Sequence, residues 1–314
     1  MTVLDTARPQ RPRTPTSTLL PAAQGLIDRN SSILEETYQS QSARTFTART
    51  WIVVVGSAML AALLLLQVYV ARRFHRWLNP GLVIATLVAA GLAISGFVLT
   101  TNGAEYMRVA KKDSFDSVLA LNQARAVSYD ANADESRYLL DPQRADQYEK
   151  LFLDKTQQLV TLDGATLSTF DKRLDAALRA YQADNADIGW QGFYGKGFRN
   201  ITFVGERSLA EQTIKTYQTY QVDDRRIRRL ATSGQLRAAI AFCTSYNPGD
   251  SNYHFGEYDK ALSAWTDLNE DWFKRSVADG QRQLTGWTVI PVVAGVLILG
   301  SLLLGLRRRL AEYH

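Results

Sequence analysis

The chain contains few of the residues on which most enzymes and disulfide-stabilised domains depend. Its 314 residues include one cysteine, Cys243, and three histidines, His75, His254 and His314. A single cysteine excludes an intrachain disulfide, so any outer domain must fold by packing alone. The sequence has no cluster with metal-ligand spacing, no phosphate-binding glycine loop and no nucleophile elbow. We therefore expect a protein that is not an enzyme and that uses no metal or cofactor.

Charged residues are absent from three long apolar runs. These runs are Trp51 to Ala71, Leu78 to Ala104 and Gln283 to Leu306. Crossing a hydrocarbon core about 30 Å thick takes about 20 apolar residues, and soluble cores rarely hold uncharged runs of that length. The sequence therefore predicts a multi-pass protein of the plasma membrane, so the lipid bilayer is one of its expected partners. The predicted transmembrane helices cover 51–71, 79–101 and 286–306.

The net charge of +5 is concentrated beside these runs. Residues 102–285 hold 24 basic and 26 acidic residues, a balance that offers no basic surface to nucleic acid. Short loops rich in arginine stay on the cytoplasmic side of a membrane. The arginines that would act as cytoplasmic anchors lie in the link 72–78 and the tail 307–314: Arg72, Arg73, Arg76, Arg307, Arg308 and Arg309. They predict an outside N-terminus, an outer domain at 102–285 and a cytoplasmic C-terminus.

The first 50 residues divide into two segments. Residues 1–17 are rich in proline, arginine and threonine, a composition typical of disorder. Residues 18–50 predict an extracytoplasmic helix that continues into the first span. A lone amphipathic helix outside the membrane is unusual, so we interpret 18–50 as the remnant of a larger outer region and expect the natural protein to be longer.

The outer domain has the helical spacing of a bundle, with apolar residues at steps of three and four. Its first helix continues the second span, and its predicted seam is Phe115, Leu119, Asn122, Ala126, Tyr129, Ala133 and Leu140. Further helices are predicted at 166–183, at 206–243 and from Ser251 into the third span. The fold class is thus an all-α membrane protein. Three transmembrane helices carry an extracytoplasmic antiparallel bundle that is continuous with the second and third spans.

Three polar residues on one face of the first bundle helix form a candidate ligand site, namely Arg125, Tyr129 and Asn132. An arginine presented by a bundle helix suits a carboxylate ligand, which it can hold through two hydrogen bonds. The alternative is a structural ion pair with a neighbouring acid. Asp224 falls in the predicted seam of a later helix, and a charge in that position needs a partner.

Residues 187–205 interleave five glycines with aromatic side chains, a composition that predicts a loop. Its aromatic residues could form a partner-docking surface, because aromatic side chains dominate interface energetics. The candidate docking residues are Trp190, Phe193, Tyr194 and Phe198. The alternative is a folded cap over the end of the bundle. The basic run 223–229 is interpreted as a solvated helix face.

Several motifs resemble bacterial membrane proteins of the GlnX type. They are LLPAAQGLIDRN, LNPG, QARAVSYDANADESRYLLD, RNITFVGER, NPGDSN and RRRLAEYH. The resemblance implies a four-span protein with two outer helical regions. It also implies a relay of amino-acid availability from a solute-binding lipoprotein outside to a Ser/Thr kinase inside. This chain lacks the first span and most of the first outer region of that pattern.

Two functions follow, and they belong to different classes. The first is a non-catalytic signal relay that senses a periplasmic amino acid or a liganded solute-binding protein and passes the state to a cytoplasmic partner. Such a switch needs a ligand with different affinities for two states of the bundle. The alternative is a structural or transporter-associated membrane subunit with no signalling role. Either function is compatible with a homo-oligomer.

Overall fold

The computed structural model describes residues 16–74 and 79–310. Regular structure in these ranges is helical, apart from an isolated antiparallel bridge between Thr161 and Gln191. A π-helix (Val109–Phe115) follows α2, and a 3₁₀ turn (Pro142–Arg144) precedes α4. The α-helices are α1 (Thr16–Phe74), α2 (Pro80–Arg108), α3 (Asp116–Leu140), α4 (Ala145–Leu159), α5 (Phe170–Ala183), α6 (Gly192–Arg199), α7 (Glu206–Thr232), α8 (Leu236–Thr244), α9 (Ser251–Leu284) and α10 (Ile290–Leu310).

The described residues form two compact units. One consists of the residues up to 104 together with those from 284 onward, and we call it the apolar unit. The other is 105–283, which we call the helical domain. In the apolar unit, α1 and α2 each contain a stretch long and apolar enough to cross a membrane, while the apolar part of α10, Ile290–Gly305, is shorter. These helices support a membrane protein.

Small side chains let the three helices of the apolar unit approach closely. Ala85 and Ala89 of α2 are buried in a cluster with Leu63 of α1 and Ile298 of α10. Where α2 begins, a Cβ added to Gly81 would lie 2.3 Å from the carbonyl oxygen of Ser301. Packing through small residues is a common way for helices to associate in lipid, where apolar burial itself contributes little.

The N-terminal segments are described only in part. Helix α1 contains the predicted helix 18–50 and the first apolar run without a break. The predicted disorder of 1–17 falls outside the described residues, except that Thr16 and Ser17 belong to α1. The end of the predicted link, 75–78, and the last four residues of the predicted tail, 311–314, also lie outside the described ranges.

Helical backbone continues from Pro80 to Leu140, as the sequence predicts for the second span and the first bundle helix. The π-helix lies within this length. A π-helix contains one residue more than the α-helical turn that it replaces. The 61-residue helix therefore carries one extra residue near its middle.

The predicted continuity between the last bundle helix and the third span is wrong. Helix α9 ends at Leu284, and α10 begins at Ile290. Between them Gly286 has a φ of 85°, a conformation that suits glycine. The amide of Trp287 donates to the carbonyl of Leu284 at 3.1 Å, which closes a turn. No proline marks this break in the sequence, and a single glycine is a weaker signal for the end of a helix.

A second glycine ends another predicted helix early. The segment 206–243 forms α7 and α8, which are separated at Gly234 with a φ of 79°. The helix predicted at 166–183 begins at Phe170, after a turn in which the amide of Thr169 donates to the carbonyl of Thr166.

The core of the helical domain lies among α3, α4, α5, α6, α7 and α9. In the patterns predicted for α5, α7 and α9, Leu167, Ala231 and Trp272 are only partly buried. The other side chains at steps of three and four are buried, as expected for a bundle. These are Phe170, Leu174, Leu178 and Tyr181 on α5, Tyr217, Tyr220, Asp224 and Ile227 on α7, and Phe255, Tyr258, Leu262, Trp265 and Asn269 on α9.

The seam predicted for α3 is wrong by two residues. None of its predicted members is buried, and both Tyr129 and Leu140 are exposed. The buried face carries Ser117, Leu121, Ala124, Ser128, Ala131 and Glu135 instead. Serine and alanine allow the helices to approach closely, whereas the sequence argument assigned the larger side chains to the core.

The aromatic and glycine-rich segment contains the helix α6 rather than a continuous loop. Its glycines occupy points of close approach. A Cβ on Gly197 would lie 2.7 Å from the ring of Trp265, and one on Gly192, which has a φ of 82°, would lie 2.6 Å from the carbonyl oxygen of Gln158. The glycines therefore let α6 pack into the core, and the aromatic side chains beside them fill it.

Candidate functional site

Arg125 already holds a carboxylate of its own chain. Its Nε lies 2.7 Å from Oδ1 of Asp259 on α9, and its Nη2 lies 2.8 Å from Oδ2. Tyr129 donates its hydroxyl to the same Oδ2 at 3.0 Å. The hydrogen bonds to Asp259 raise the pKa of Arg125 above its usual value. The structure thus has the predicted alternative, a structural ion pair, with Asp259 rather than Asp224 as the acid.

Asn132 faces a different group of residues. Its Nδ2 lies 3.4 Å from Oε2 of Glu135, which is 1 % exposed and accepts the hydroxyl of Tyr220 at 2.8 Å. Asp224 on α7 is 2 % exposed and interacts with Glu135 closely enough to influence its titration. Burial, followed by the charge of Asp224, raises the pKa of Glu135 well above its ordinary value of 4.5. Burial likewise raises the pKa of Asp224.

A single guanidinium lies against these two carboxyl groups. Arg228 donates its Nε to Oδ2 of Asp224 at 2.9 Å, and its charge lies 4.5 Å from the ring of Tyr138 and 5.2 Å from that of Phe152. One cation for two buried carboxyl groups favours a proton on the pair. We call Glu135, Asp224, Tyr220 and Arg228 the buried carboxyl cluster, and chemically it can store a proton.

The interpretation of 223–229 as a solvated face is therefore wrong. Asp223, Asp224 and Ile227 are buried, and the side chain of Arg228 is only 11 % exposed. Asp223 also pairs with Nδ1 of His254 at 2.6 Å. The charges of this run connect α7 to α3 and α9, and only some of them face solvent.

The predicted partner-docking residues do not form a surface. Trp190, Tyr194 and Phe198 are at most 3 % exposed, and Phe193 is half-buried. The ring of Phe198 makes edge contacts with Trp190, Tyr181 and Trp265 at centroid distances of 4.9 to 5.6 Å. The docking proposal fails because these side chains belong to the core. The predicted alternative, a folded cap over the end of the bundle, requires burial of this kind.

A side-chain amide secures the π-helix, and the sequence argument did not identify it. Nδ2 of Asn200 lies 2.8 Å from the carbonyl oxygen of Lys112, 2.9 Å from that of Asp113 and 2.8 Å from Oγ of Ser117. Carbonyl groups near a π-helix lose their ordinary partners, so a donor from elsewhere in the fold helps to satisfy them. Asn200 is more than 80 residues away, and helical periodicity gives no signal for such a contact.

Glu206 was likewise missed. This buried carboxylate accepts the amides of Thr202 and Phe203 through Oε2, at 2.9 and 3.1 Å. Its Oε1 accepts the indole N–H of Trp265 and the side-chain amide of Asn269, at 3.1 and 2.9 Å. Four donors satisfy the carboxylate, so its role is to fix the segment that contains Asn200 against α9. The available signal was an acidic residue in the first turn of a helix, after Gly205.

The arginine anchors are partly described. Arg72 and Arg73 lie exposed in the last turn of α1, and Arg307 is exposed in α10. Arg76 lies outside the described ranges, as do the side chains of Arg308 and Arg309. Among the residues with a described position, no group of three or more His, Cys, Asp or Glu side chains could hold a metal ion.

Comparisons of the chain with protein-family models, with curated proteins and with solved structures give no match. The resemblance to GlnX-type proteins accordingly stays a prediction from the sequence.

Proposed function

We propose that this chain is a non-catalytic membrane signal-relay protein. In this proposal the helical domain receives an amino acid or a liganded solute-binding protein outside the cell. The apolar unit spans the membrane with α10 as a third crossing, and the arginines at the ends of α1 and α10 face the cytoplasm. A cytoplasmic partner, such as a Ser/Thr kinase, reads the result. The observation that supports this most directly is the helix from Pro80 to Leu140.

This helix joins an apolar stretch to the core of a folded domain. Its C-terminal part buries Leu121, Ala124 and Ala131 in the domain core. A change in the packing of the core can therefore displace the whole helix. A polypeptide that served only as a tether would not need this continuity.

The π-helix provides an element with two discrete states. A shift in hydrogen-bond register that converts the π-helix to an ordinary α-helix would rotate α2 relative to α3 by about 100°, since each residue of an α-helix advances by that angle. Asn200 favours the π form through its contacts with Lys112, Asp113 and Ser117. An input that moves the segment with Asn200 would bias the equilibrium, as a switch between two states requires.

A crosslinking pull-down from membranes tests the relay. The full chain carries a photocrosslinker in its C-terminal tail and an N-terminal tag, and recovery is compared with and without added acidic and amide amino acids. We expect a solute-binding lipoprotein and a kinase whose recovery changes with the amino acid. Asn200→Ala should alter that ligand dependence.

Asn185→Ala is the matched control, because Asn185 is an exposed residue in the turn after α5. It should behave as the wild type. Recovery of transporter permeases, with no response to amino acids or to Asn200→Ala, would support the structural subunit instead and would refute the relay.

A further inference from the structure

A cavity of about 400 Å³ lies between α5, α6 and two backbone segments of the helical domain. The segments are 161–163 and 188–191, and they are fixed to each other where Thr161 and Gln191 exchange two backbone hydrogen bonds of 3.2 Å. Small-molecule sites in proteins commonly range from 300 to 1,000 Å³. The cavity therefore has the size and the fixed backbone of a site for a small ligand.

Two guanidinium groups line this cavity. Arg173 of α5 donates Nη1 to the carbonyl oxygen of Asp163 at 2.7 Å, and Arg199 of α6 donates Nη2 to that of Trp190 at 2.9 Å. Within the described residues, neither of them forms an ion pair with a carboxylate. A guanidinium has five N–H donors, so each keeps donors for a ligand after its carbonyl contact. Asp163 also lines the cavity, and two arginines against this one aspartate give the lining a net positive charge.

Two other arginines of the domain, Arg125 and Arg225, are already paired with carboxylates. Arg125 holds Asp259, and Arg225 holds Asp171 through contacts of 2.8 and 2.7 Å. In both pairs the planar fork grips a carboxylate through two hydrogen bonds, the geometry for which arginine is best suited. Arg173 and Arg199 have the same donors and face a cavity instead.

The second large cavity of the domain is a weaker candidate. It measures about 580 Å³ and is lined by Arg225, Arg228 and Arg229. Two of these guanidinium groups already hold carboxylates, Arg225 with Asp171 and Arg228 with Asp224. A ligand there would have to displace ion pairs of the chain, whereas a ligand between Arg173 and Arg199 would not.

Part of the lining beside Arg173 is apolar. Arg173, Ala176 and Ala177 lie at steps of three and four on α5 and so share one face of that helix. Leu162 and Ile188 complete the apolar lining. A ligand that fits this lining has an anionic group, which the two guanidinium groups can hold, and a short apolar body.

We propose that this cavity binds a small carboxylate, held by Arg173 and Arg199 with its apolar part against α5. Binding itself does not depend on signalling, and only its use as the input of the relay rests on the proposed function. The site is separate from the Arg125 and Asp259 pair, so it also replaces the ligand position predicted from the sequence.

Isothermal titration calorimetry on the full chain in detergent tests the site. The probes are glutarate and butyrate, with butyramide as the neutral isostere of butyrate and inorganic phosphate as an anion of different shape. We expect saturable binding of at least one carboxylate and none of butyramide. Arg173→Gln and Arg199→Gln should each weaken that binding at least ten-fold.

Arg179→Gln is the matched control, because Arg179 is, like Arg173, an exposed arginine of α5, but it does not line the cavity and it pairs with Asp175. It should bind as the wild type does. Circular dichroism and thermal melting of all three variants check that they remain folded. Equal binding in all variants, binding of phosphate alone, or no binding of either carboxylate at millimolar concentration would each overturn the proposal. An intact relay alongside no binding would refute this site and leave the proposed function standing.

Discussion

At the residue scale, the buried carboxyl cluster links the stability of the domain to pH. Glu135 has a pKa well above 4.5 in the folded protein because it is buried beside Asp224. The folded state therefore binds more protons than the unfolded state once the pH exceeds that ordinary value. Stability then falls as pH rises toward the folded pKa of Glu135. Arg228 opposes this effect, and further titratable groups near the pair are Tyr138, Glu149, Tyr217, Tyr220 and Cys243.

Glu135→Gln should remove much of this dependence. The amide has nearly the shape of the protonated carboxyl group and can still accept the hydroxyl of Tyr220, but it cannot ionise. Between pH 5 and pH 8, we expect the wild type to lose more free energy of unfolding than the variant loses. Chemical denaturation at both pH values measures the difference. Glu257→Gln, at an exposed ion pair with Lys260, is the control. Parallel losses in wild type and Glu135→Gln would contradict the assignment.

The glycines of α6 lead to a second prediction. A Cβ on Gly197 would lie 2.7 Å from the ring of Trp265, so Gly197→Ala should lower the free energy of unfolding by about 1 to 3 kcal/mol, the usual cost of overpacking. Gly256 of α9 has nothing within 4 Å of the added Cβ. Gly256→Ala should therefore stabilise the domain by up to about 1 kcal/mol through helix propensity. Urea denaturation of both variants tests the contrast, which fails if they change stability in the same direction.

At the element scale, the contact between Asn200 and the π-helix is the one most open to test. Asn200→Ala removes three contacts of 2.8 to 2.9 Å. The carbonyl groups of Lys112 and Asp113 then lose a donor, which favours a change in the hydrogen-bond register of the π-helix. A lost hydrogen bond costs about 0.5 to 1.5 kcal/mol. We expect faster amide hydrogen exchange in the segment 109–117, with unchanged exchange in α5. Asn185→Ala should leave both regions as in the wild type, and equal protection of 109–117 in both variants would refute the role of Asn200.

The elements also show how far the sequence could lead. Large apolar side chains identified the buried faces of α5, α7 and α9, because burial of such side chains dominates the free energy of packing. The predicted face of α3 was displaced by two residues, because many of its buried positions hold serine, alanine and glutamate. The helix breaks at Gly234 and Gly286 depend on a left-handed backbone conformation at these residues. A single glycine within a helical pattern does not predict that conformation.

The candidate sites were less predictable than the helices. The spacing of Arg125 and Tyr129 correctly grouped two side chains, but their shared acid, Asp259, is 130 residues further along. Burial of Trp190 and Phe198 depends on glycines that let α6 enter the core. The cavity of Arg173 and Arg199 forms where Thr161 and Gln191 meet. Contacts of this kind depend on the tertiary fold and have no local signature in the sequence.

At the scale of the whole molecule, the lone cysteine makes the proposed topology easy to test. Cys243 is buried, and burial raises the pKa of its thiol to about 12, so it should not react with maleimides at neutral pH. Single cysteines can therefore be introduced without replacing it. Val204, which is 93 % exposed in the helical domain, and a cysteine appended after His314 are suitable positions.

A membrane-impermeant maleimide applied to intact cells should label Val204→Cys and spare the appended cysteine. Opening the cells should make both react. The unmodified chain, which keeps only Cys243, measures the background. Labelling of the appended cysteine in intact cells would reverse or abolish the proposed orientation, since the outer domain and the tail would no longer lie on opposite sides.

The two chain segments that lead from the helical domain into the apolar unit differ in backbone conformation. One is the helix through Val109–Phe115, and the other contains the turn at Gly286, between Leu284 and Ile290. If both were unbroken helices, twisting one would strain the other. Because the turn at Gly286 interrupts one segment, the helix through Val109–Phe115 can rotate about its own axis while the backbone of the turn adjusts. Under the proposed relay, this asymmetry favours torsion over a piston stroke as the motion that crosses the membrane.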